Sequence, residues 1–322
     1  MSQREGVQEE VSLQRALELA ERGRGTTYPN PVIGAVVVRN GKVVGEGWTQ
    51  PPPGRHGEIV ALDAAGRLAR GATLYVTMEP CTHHGRTPPC VDRVLESGVR
   101  RVVAGANDPN PEAGGGLDRL REHGVEVELV DTFEARRQNE AWRTWIAKQR
   151  PFVILKAAIT LDGRATVPGS RWVTGEASRR RVHELRAEVD AVAVGMGTVR
   201  ADDSQLTARG VDAVRQPRRL AFGRGPLPEG SDLELRSGAL TDELHALAHD
   251  GVQSLLLEGG PTIARSFLRE HLVDKLMLFV APRIAGAGVT FLPELDRGVE
   301  LERLRAERVG QDVLLTAYIH EP

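Results

Sequence analysis

The feature that most constrains the fold is the alternation of strand-type and helix-type patterns along almost the whole chain. Apolar residues at helical spacing, such as Leu13 and Leu17, predict an N-terminal helix. Two β-type runs then flank Asn40-Gly41, a dipeptide typical of tight hairpins. Further strands and helices follow up to one long helix predicted over residues 133–148. Such alternation predicts a mainly parallel sheet covered by helices.

The same alternation resumes after Pro151. Strand-type runs such as FVILKAAIT, AVAVGMG and KLMLFVAP are separated by helix-type runs such as SRRRVHELRAEV and TIARSFLREHL. A chain of 322 residues is long enough for two domains that each bury a core. Because QRP before this point is typical of a short linker, we predict α/β domains over residues 1–150 and 151–322, with no internal repeat between them.

Composition narrows the classes of function. A formal net charge of -2 gives no electrostatic reason to expect nucleic-acid binding. No run of about eighteen apolar residues predicts a membrane span, and the N-terminal MSQREGVQEE lacks the apolar core of a secretory signal. Two cysteines in the whole chain are sparse usage, as expected in a reducing cytosol. We therefore expect a cytoplasmic protein that acts on small molecules, with no membrane or nucleic-acid partner.

Both cysteines lie in EPCTHHGRTPPC, residues 79–90. A disulfide and simple packing of thiols are the alternatives to a functional site. Upstream, RHGEIVAL places His56 and Glu58 at the start of a predicted helix. One histidine and two cysteines can hold zinc and leave its fourth position open for water, while Glu58 can carry the proton of that water. This order is the signature of zinc-dependent nucleobase deaminases, although eight residues rather than two separate Cys81 from Cys90.

The long loop between the cysteines points to one family. EPCTHHGRTPPC, YPNPVIGAVVVRNGKVVGEG and ANDPNPEAGGGLDRLREHGV closely resemble the deaminase half of the bifunctional riboflavin-biosynthesis deaminase–reductases, over about residues 10–150. The resemblance implies a cytidine-deaminase-like α/β/α fold, with zinc on His56, Cys81 and Cys90 and with Glu58 as proton shuttle. It implies that the substrate is 2,5-diamino-6-ribosylamino-4(3H)-pyrimidinone 5′-phosphate, which loses its 2-amino group as ammonia.

The remaining candidate residues of this half each have two interpretations. Asn30 lies where the resemblance implies an amide that recognises the base, and an ordinary turn asparagine is the alternative. The loop residues His83, His84 and Arg86 either line the pocket and hold the phosphate or are solvated, and the sequence leaves both open. Gly57 stands where the family usually has alanine, which weakens a helix by about 1 kcal/mol but removes no chemical group.

The second half resembles the reductase half of the same enzymes through LKAAITLDGR, SRWVTG, HELRAE, GTVRADDSQLTAR, LLLEGGPTIARSFL and LVDKLMLFVAPRIAG. The resemblance implies a dihydrofolate-reductase-like α/β fold and reduction of the ribosyl group to ribityl with NADPH. The positions at which the family holds NADPH are Ala158, Trp172, Thr198, Asp202, Gly260, Pro261, Thr262, Ile263, Ala264, Arg265 and Ser266. The positions at which it holds substrate are Ser170, Arg186, Leu206, Arg209 and Glu258.

Chemistry adds roles to three of these residues. The guanidinium groups of Arg186 and Arg209 suit a sugar phosphate, because they match its oxygens in bidentate fashion. Reduction of an open-chain imine or aldehyde also needs a proton. Lys156, which we place near the site of hydride transfer, and Asp202 are the candidate donors.

Two departures affect the second half. Ser204 follows Asp202-Asp203 where the family commonly has proline, and the stretch between Arg209 and Glu258 looks short. The alternative to a bifunctional enzyme is therefore a deaminase with an impaired reductase. A deaminase of another nucleobase and a non-catalytic zinc module are further alternatives, and Glu58 argues against the module because a structural zinc needs no proton shuttle. Since the family commonly assembles, the sequence is compatible with a homo-oligomer.

Overall fold

The structure is a computed structural model that describes residues 3–85, 88–201, 204–292 and 294–322. It divides into two compact units, Met1–Ala147 and Lys148–Glu321. Within the described ranges, no helix is both long enough and apolar enough to cross a membrane.

The first unit is a five-stranded sheet in the order β2-β1-β3-β4-β5. Its strands are β1 Gly34–Arg39, β2 Lys42–Trp48, β3 Thr73–Val76, β4 Arg101–Ala104 and β5 Glu126–Leu129. Its helices are α1 Gln3–Glu21, α2 Gly57–Ala65, α3 Cys90–Ser97, α4 Gly116–Glu122, α5 Phe133–Gln138 and α6 Glu140–Lys148. β3, β4 and β5 are parallel, whereas β1 is antiparallel to β2 and β3. The predicted hairpin at Asn40-Gly41 is confirmed, with positive φ at both residues.

The three central strands β1, β3 and β4 are buried on both faces, which explains why they are almost continuously apolar. Ala35 and Val37 of β1 belong to one core cluster with Leu62 of α2. The alternate residues Val36 and Val38 belong to a second cluster with α1. Alternate residues of one strand therefore pack against helices on opposite faces of the sheet. The sheet also fixes the strand ends from which the loops of the site emerge.

Helix α2 lies in backbone contact with β2 because two glycines leave room for it. A Cβ atom on Gly47 would lie 2.4 Å from the carbonyl oxygen of Gly57, and one on Gly45 would lie 2.2 Å from that of Ala61. Any larger residue would push the helix away. This close approach determines where the first turn of α2 lies.

The single helix predicted over residues 133–148 is wrong, because the structure has two helices separated at Asn139. The Asn139 side chain accepts a hydrogen bond from the Val32 N–H and donates one to the Val32 carbonyl, both at 2.9 Å. Asn139 is 6% exposed. A helical pattern alone could not predict the break, since its cause lies 107 residues away in sequence.

The second unit is an eight-stranded sheet in the order β12-β13-β11-β6-β10-β7-β8-β9. Its strands are β6 Phe152–Thr160, β7 Ala191–Gly195, β8 Arg218–Phe222, β9 Glu234–Arg236, β10 Ser254–Leu257, β11 Lys275–Ala281, β12 Glu302–Val309 and β13 Asp312–Tyr318. Its helices are α7 Glu176–Glu188, α8 Met196–Ala201, α9 Leu240–His249 and α10 Pro261–Arg269. Every pairing from β11 to β9 is parallel, and β13 and β12 add an antiparallel edge.

The stretch that looked short in the sequence retains regular structure. Between Arg209 and Glu258 the chain forms β8, β9, α9 and β10. Leu244 and Leu247 of α9 are fully buried, and Phe222 at the end of β8 packs edge-on against Phe267 of α10 with ring centroids 5.4 Å apart. β8, α9 and β10 therefore contribute to the core of this unit, whereas β9 is a partly exposed strand at the edge of the sheet.

A buried ion pair fixes the start of the second unit. Asp274, whose side chain is 1% exposed, accepts two hydrogen bonds of 2.7 Å from Arg150 and one of 2.9 Å from the Val153 N–H. Lys148 and His320 also face this carboxylate, at 3.5 and 3.6 Å. These partners compensate the buried negative charge of Asp274. An isolated carboxylate at the same depth would be very costly.

Candidate functional site

The structure brings His56, Cys81 and Cys90 together. His56 caps the start of α2, Cys81 lies in the loop after β3, and Cys90 is the first residue of α3. Their ligand atoms all lie within 4.8 Å of one another, with His56 Nδ1 at 3.2 Å from Cys90 Sγ and 3.6 Å from Cys81 Sγ. Both cysteines are buried free thiols. One imidazole and two sulfur atoms at this spacing fit a zinc ion with a fourth position open.

The pKa values of these three side chains shift in different directions. Hydrogen bonding with Cys90 and His56 lowers the pKa of the Cys81 thiol to about 4, although burial opposes it. The bond to Cys81 raises the pKa of His56 to about 9, and Cys81 together with burial raises the pKa of Cys90. One thiolate forms readily while a second beside it does not. A divalent cation would compensate the second thiolate, and its binding would release the remaining protons.

Glu58 lies one residue into α2, in the same cavity as the three ligands. It is 3% exposed, and burial raises its pKa to about 7. Among the described residues its Oε2 atom has no hydrogen-bond partner. A carboxyl group with a pKa near neutrality and a free oxygen can both accept and return a proton.

Gly57, the departure from the family pattern, has a structural reason. A Cβ atom there would lie 2.5 Å from the carbonyl oxygen of Ile33. The first turn of α2 is therefore pressed against the loop before β1. Glycine between His56 and Glu58 permits this contact, which outweighs its low helix propensity.

A cavity of about 350 Å³ opens beside these residues. Asn30 lines it, as do Asp108 and Asn110 from the loop after β4. The apolar side is formed by Ile33, Met78, Trp142, Trp145 and Ile146. Burial raises the pKa of Asp108 to about 6. A cavity of this volume with convergent polar groups suits a small polar heterocycle.

The loop between the cysteines is only partly involved. His83 lines the cavity, and its Nδ1 atom is buried without a partner in the described part of the chain. His84 is exposed and does not line the cavity. Arg86 lies outside the described residues.

Sequence reasoning missed Asp108, Asn110 and the tryptophans of α6. The first two carried a usable signal, since ANDPNP follows β4 and the carboxyl ends of the parallel strands β3 and β4 meet at one edge. Cys81 follows β3 at that same edge. The tryptophans carried no signal, because an apolar helix face is equally typical of a core.

In the second unit, Lys156, Arg186 and Glu258 form one charged cluster. Glu258 accepts hydrogen bonds from Arg186 at 2.5 and 3.0 Å and from Lys156 Nζ at 3.4 Å. Its side chain is 7% exposed. Burial alone would raise the pKa of this carboxyl, but the charges and hydrogen bonds of Lys156 and Arg186 outweigh burial and lower it. The cluster thus holds two cations on one anion and carries a net positive charge.

The segment with Leu206 and Arg209 is tied to the same region. The Thr207 carbonyl accepts a hydrogen bond of 3.1 Å from Arg186, and the Arg209 N–H donates one of 3.2 Å to His183. Leu206 is buried, whereas Arg209 is exposed. Burial and the charges of Arg186 and Arg209 lower the pKa of His183, so both guanidinium groups lie near this imidazole.

The turn from Gly260 to Ser266 opens helix α10, with Gly260 as its N-cap. Thr198 faces it, because a Cβ atom on Gly260 would lie 3.4 Å from Thr198 Oγ1. The first backbone N–H groups of such a helix are unpaired and favour anions. Ala264 is fully buried, and its N–H donates a hydrogen bond of 3.2 Å to the Gly260 carbonyl.

The remaining predicted residues of this half make no direct contact with the charged cluster in the described part of the chain. Ala158 is half-buried on β6. Ser170 donates a hydrogen bond of 2.8 Å to the carbonyl of Trp172, and the exposed Trp172 ring packs under the guanidinium groups of Arg171 and Arg179. Asp202 lies outside the described residues. Pro261, Thr262, Ile263 and Arg265 belong to the first turns of α10.

Two protein families match the sequence. The cytidine and deoxycytidylate deaminase zinc-binding region matches residues 7–106, and the RibD C-terminal domain matches residues 151–315. The riboflavin biosynthesis protein RibD of Aquifex aeolicus is 39% identical over 339 residues, covering 93% of this chain and 95% of the relative. That of Escherichia coli is 35% identical over 362 residues, covering 96% and 99%.

Solved structures match over nearly the full length as well. The first form of Acinetobacter baumannii RibD is 33% identical, with a TM-score of 0.83 and coverage of 97% of this chain and 98% of that one. A diaminohydroxyphosphoribosylaminopyrimidine deaminase/5-amino-6-(5-phosphoribosylamino)uracil reductase from Thermotoga maritima is 35% identical, with a TM-score of 0.82 and the same coverage.

Proposed function

Because the chain belongs to the RibD family of riboflavin biosynthesis proteins, we propose that its two units carry two successive reactions on one pyrimidine. The protein is a bifunctional enzyme of riboflavin biosynthesis, with a zinc deaminase and a reductase in one chain, as the resemblance predicted. We assign deamination to residues 1–150 and reduction to residues 151–322. By analogy with the Thermotoga maritima protein, the substrates are the diaminopyrimidine ribosylamino 5′-phosphate and its deaminated product.

The observation that carries the deaminase assignment is the position of Glu58 beside three zinc-type ligands in one cavity. Zinc held by His56, Cys81 and Cys90 would supply the Lewis acidity that makes water nucleophilic at neutral pH. Glu58 takes the proton of that water and returns it to the leaving amino group. Asn30 hydrogen-bonds the base, and the apolar wall of the cavity excludes bulk water from the reaction.

In the reductase half, NADPH would supply the hydride and the protein a proton. The N-terminal turn of α10 and Thr198 suit the dinucleotide phosphates. The position of Lys156 supports a role as proton donor, because contact with Glu258 holds the Lys156 ammonium group at the edge of the charged cluster. We assign hydride transfer to the carbon of the opened ribosyl imine and proton transfer from Lys156 to its nitrogen. Asp202 remains the alternative donor.

The reductase is proposed as working rather than impaired, because β8, α9 and β10 contribute to the core and β9 extends the sheet. We further propose a cytoplasmic enzyme that acts on a small phosphoribosyl pyrimidine and on neither nucleic acid nor membrane. A homo-oligomer is compatible with the family.

Replacing Arg209 by alanine tests the phosphate assignment. We expect the reductase KM for the deaminated substrate to rise roughly tenfold to a hundredfold, because a charged hydrogen bond of about 1.5–3 kcal/mol is lost. The KM for NADPH and the release of ammonia should not change. The control is Arg180→Ala, which removes an exposed guanidinium group that pairs with Glu184 on the surface of α7. An unchanged KM in Arg209→Ala would remove this residue from the substrate site.

A further inference from the structure

We propose that α6 positions the substrate loops of the deaminase, with Asn139 and Arg143 as its positioning residues. The inference rests on the proposed deaminase function. Neither residue lines the cavity, so neither is expected to contact substrate or metal. Each instead holds the backbone of a loop that does line it.

Asn139, immediately before α6, holds the loop of Asn30. Its amide forms two hydrogen bonds of 2.9 Å with the main chain of Val32, one as acceptor and one as donor. Val32 is buried, and it lies two residues after Asn30. The pair of bonds works like the pairing of a neighbouring strand, since it fixes both polar groups of one residue. The position of Asn30 in the cavity thus depends on a side chain far away in sequence.

Arg143, one turn further along, holds the loop that contains Asp108 and Asn110. Its guanidinium group donates to the carbonyl oxygen of Asn107 at 2.6 Å and to the Asn107 side-chain oxygen at 3.0 Å. Glu79 fixes the same loop from the other side, since it accepts a hydrogen bond of 3.1 Å from the Asp108 N–H. Hydrogen bonds to Asn107 and to the Asp108 N–H therefore fix the loop next to the Asp108 carboxylate, which lines the cavity.

The burial of Arg143 argues for positioning rather than for stability alone. Arg143 is 8% exposed, and within the described ranges no carboxylate lies within ion-pair distance of it. Its Nε atom is buried and has no partner there either. Asp108 and Asp131 attract this charge from beyond ion-pair distance, but burial outweighs them. Holding the charge here is therefore costly, and an apolar residue would stabilise a core better. Arg143 instead forms two directed hydrogen bonds to one loop residue, Asn107.

The same helix also supplies part of the cavity wall directly. Trp142, Trp145 and Ile146 line the cavity. Asn139, Trp142, Arg143 and Ile146 follow the spacing i, i+3, i+4 and i+7, which places them along one face of the helix. One helix face therefore sets the distance between the apolar wall and both polar loops.

The test compares Asn139→Ala and Arg143→Met in the full-length zinc enzyme, with ammonia release followed against substrate concentration. We expect the KM for the diaminopyrimidine to rise between about tenfold and a hundredfold, because displaced loops lose contacts that substrate and transition state share. The kcat should stay within about threefold of the wild type. Zinc content and reduction of separately supplied deaminated substrate should stay unchanged.

A matched control separates positioning from loss of stability. Leu19→Ala removes a side chain of α1 that is 1% exposed and packs in the cluster on the opposite face of the sheet. It should lower the melting temperature without changing the KM. If Asn139→Ala and Arg143→Met lower the melting temperature similarly and leave the KM unchanged, both residues are only structural and the proposal is wrong.

Conservative variants keep the proposal testable if either substitution prevents folding. Arg143→Lys can keep one of the two bonds to Asn107 and should give a KM between those of the wild type and the methionine variant. Asn139→Ser should raise the KM in the same way, because its shorter side chain cannot bridge both groups of Val32. A wild-type KM in both would overturn the proposal. A wild-type enzyme that releases no ammonia would instead overturn the proposed function.

Discussion

Glu58→Gln is expected to keep its zinc and to lose ammonia release by at least about a hundredfold, the scale of general acid–base catalysis. Glutamine has nearly the same size and shape, so the buried position beside the ligands should not be disturbed. It cannot take a proton from water or return one to the leaving amino group. The pKa of about 7 that burial gives Glu58 makes this side chain suited to both transfers.

The measurement is ammonia release by the purified full-length variant, with zinc determined on the same sample. Reduction of the deaminated substrate by the same variant serves as an internal control and should be unchanged. Near-normal ammonia release with full zinc would remove Glu58 from the mechanism. Loss of zinc would show that Glu58 supports the metal site instead of carrying protons.

Asp274→Asn is expected to destabilise the second unit by roughly 3–5 kcal/mol at neutral pH, because it leaves the guanidinium group of Arg150 buried without its counter-charge. The reductase should therefore lose activity at a markedly lower temperature or urea concentration. Since unfolding of two units need not be a single transition, the two activities should be measured separately. The midpoint for loss of ammonia release should move much less.

The same pair predicts a dependence on pH. Burial would raise the pKa of Asp274, but hydrogen bonds from Arg150 and His320 and the Arg150 charge outweigh it and lower the pKa to about 2. A lowered pKa contributes stability above the unfolded value near 4, and this contribution disappears as the pH falls towards 2. The difference in stability between the wild type and Asp274→Asn should therefore shrink through this window.

A surface pair provides the control for both expectations. Asp250 lies 3.2 Å from Arg218 with a half-exposed side chain, so Asp250→Asn should cost less than about 1 kcal/mol. Equal losses in Asp274→Asn and Asp250→Asn would contradict a structural role for the buried pair.

Residue patterns predicted most of the first unit and the centre of the second. Strands buried on both faces are continuously apolar, and the hairpin glycine and the helix periods were readable locally. The clustering of His56, Cys81 and Cys90 was predictable, because residues able to bind a metal are few types in a restricted order. These signals are local or chemically unusual, which is why one sequence was sufficient.

Other elements had no local signal. In β12 every residue from 302 to 308 is exposed, so ERLRAERV shows no alternation between apolar and polar residues. β9 has three residues, too few for a period. The break at Asn139 and the contacts of Arg143 depend on residues distant in sequence. Helix propensity alone makes Gly57 unfavourable in α2. Its reason is the close approach of the Ile33 carbonyl, which a side chain at this position would block.

The central claim is that one chain performs both reactions, and its most direct test supplies only the diaminopyrimidine substrate and NADPH to the full-length zinc enzyme. Ammonia and the oxidation of NADPH, read at about 340 nm in the nicotinamide band, are followed in one sample. We expect ammonia first and then one NADPH oxidised for each ammonia released, with the second signal absent when the first is blocked by Glu58→Gln. Normal ammonia release without any NADPH oxidation, even when deaminated substrate is added directly, would contradict the claim.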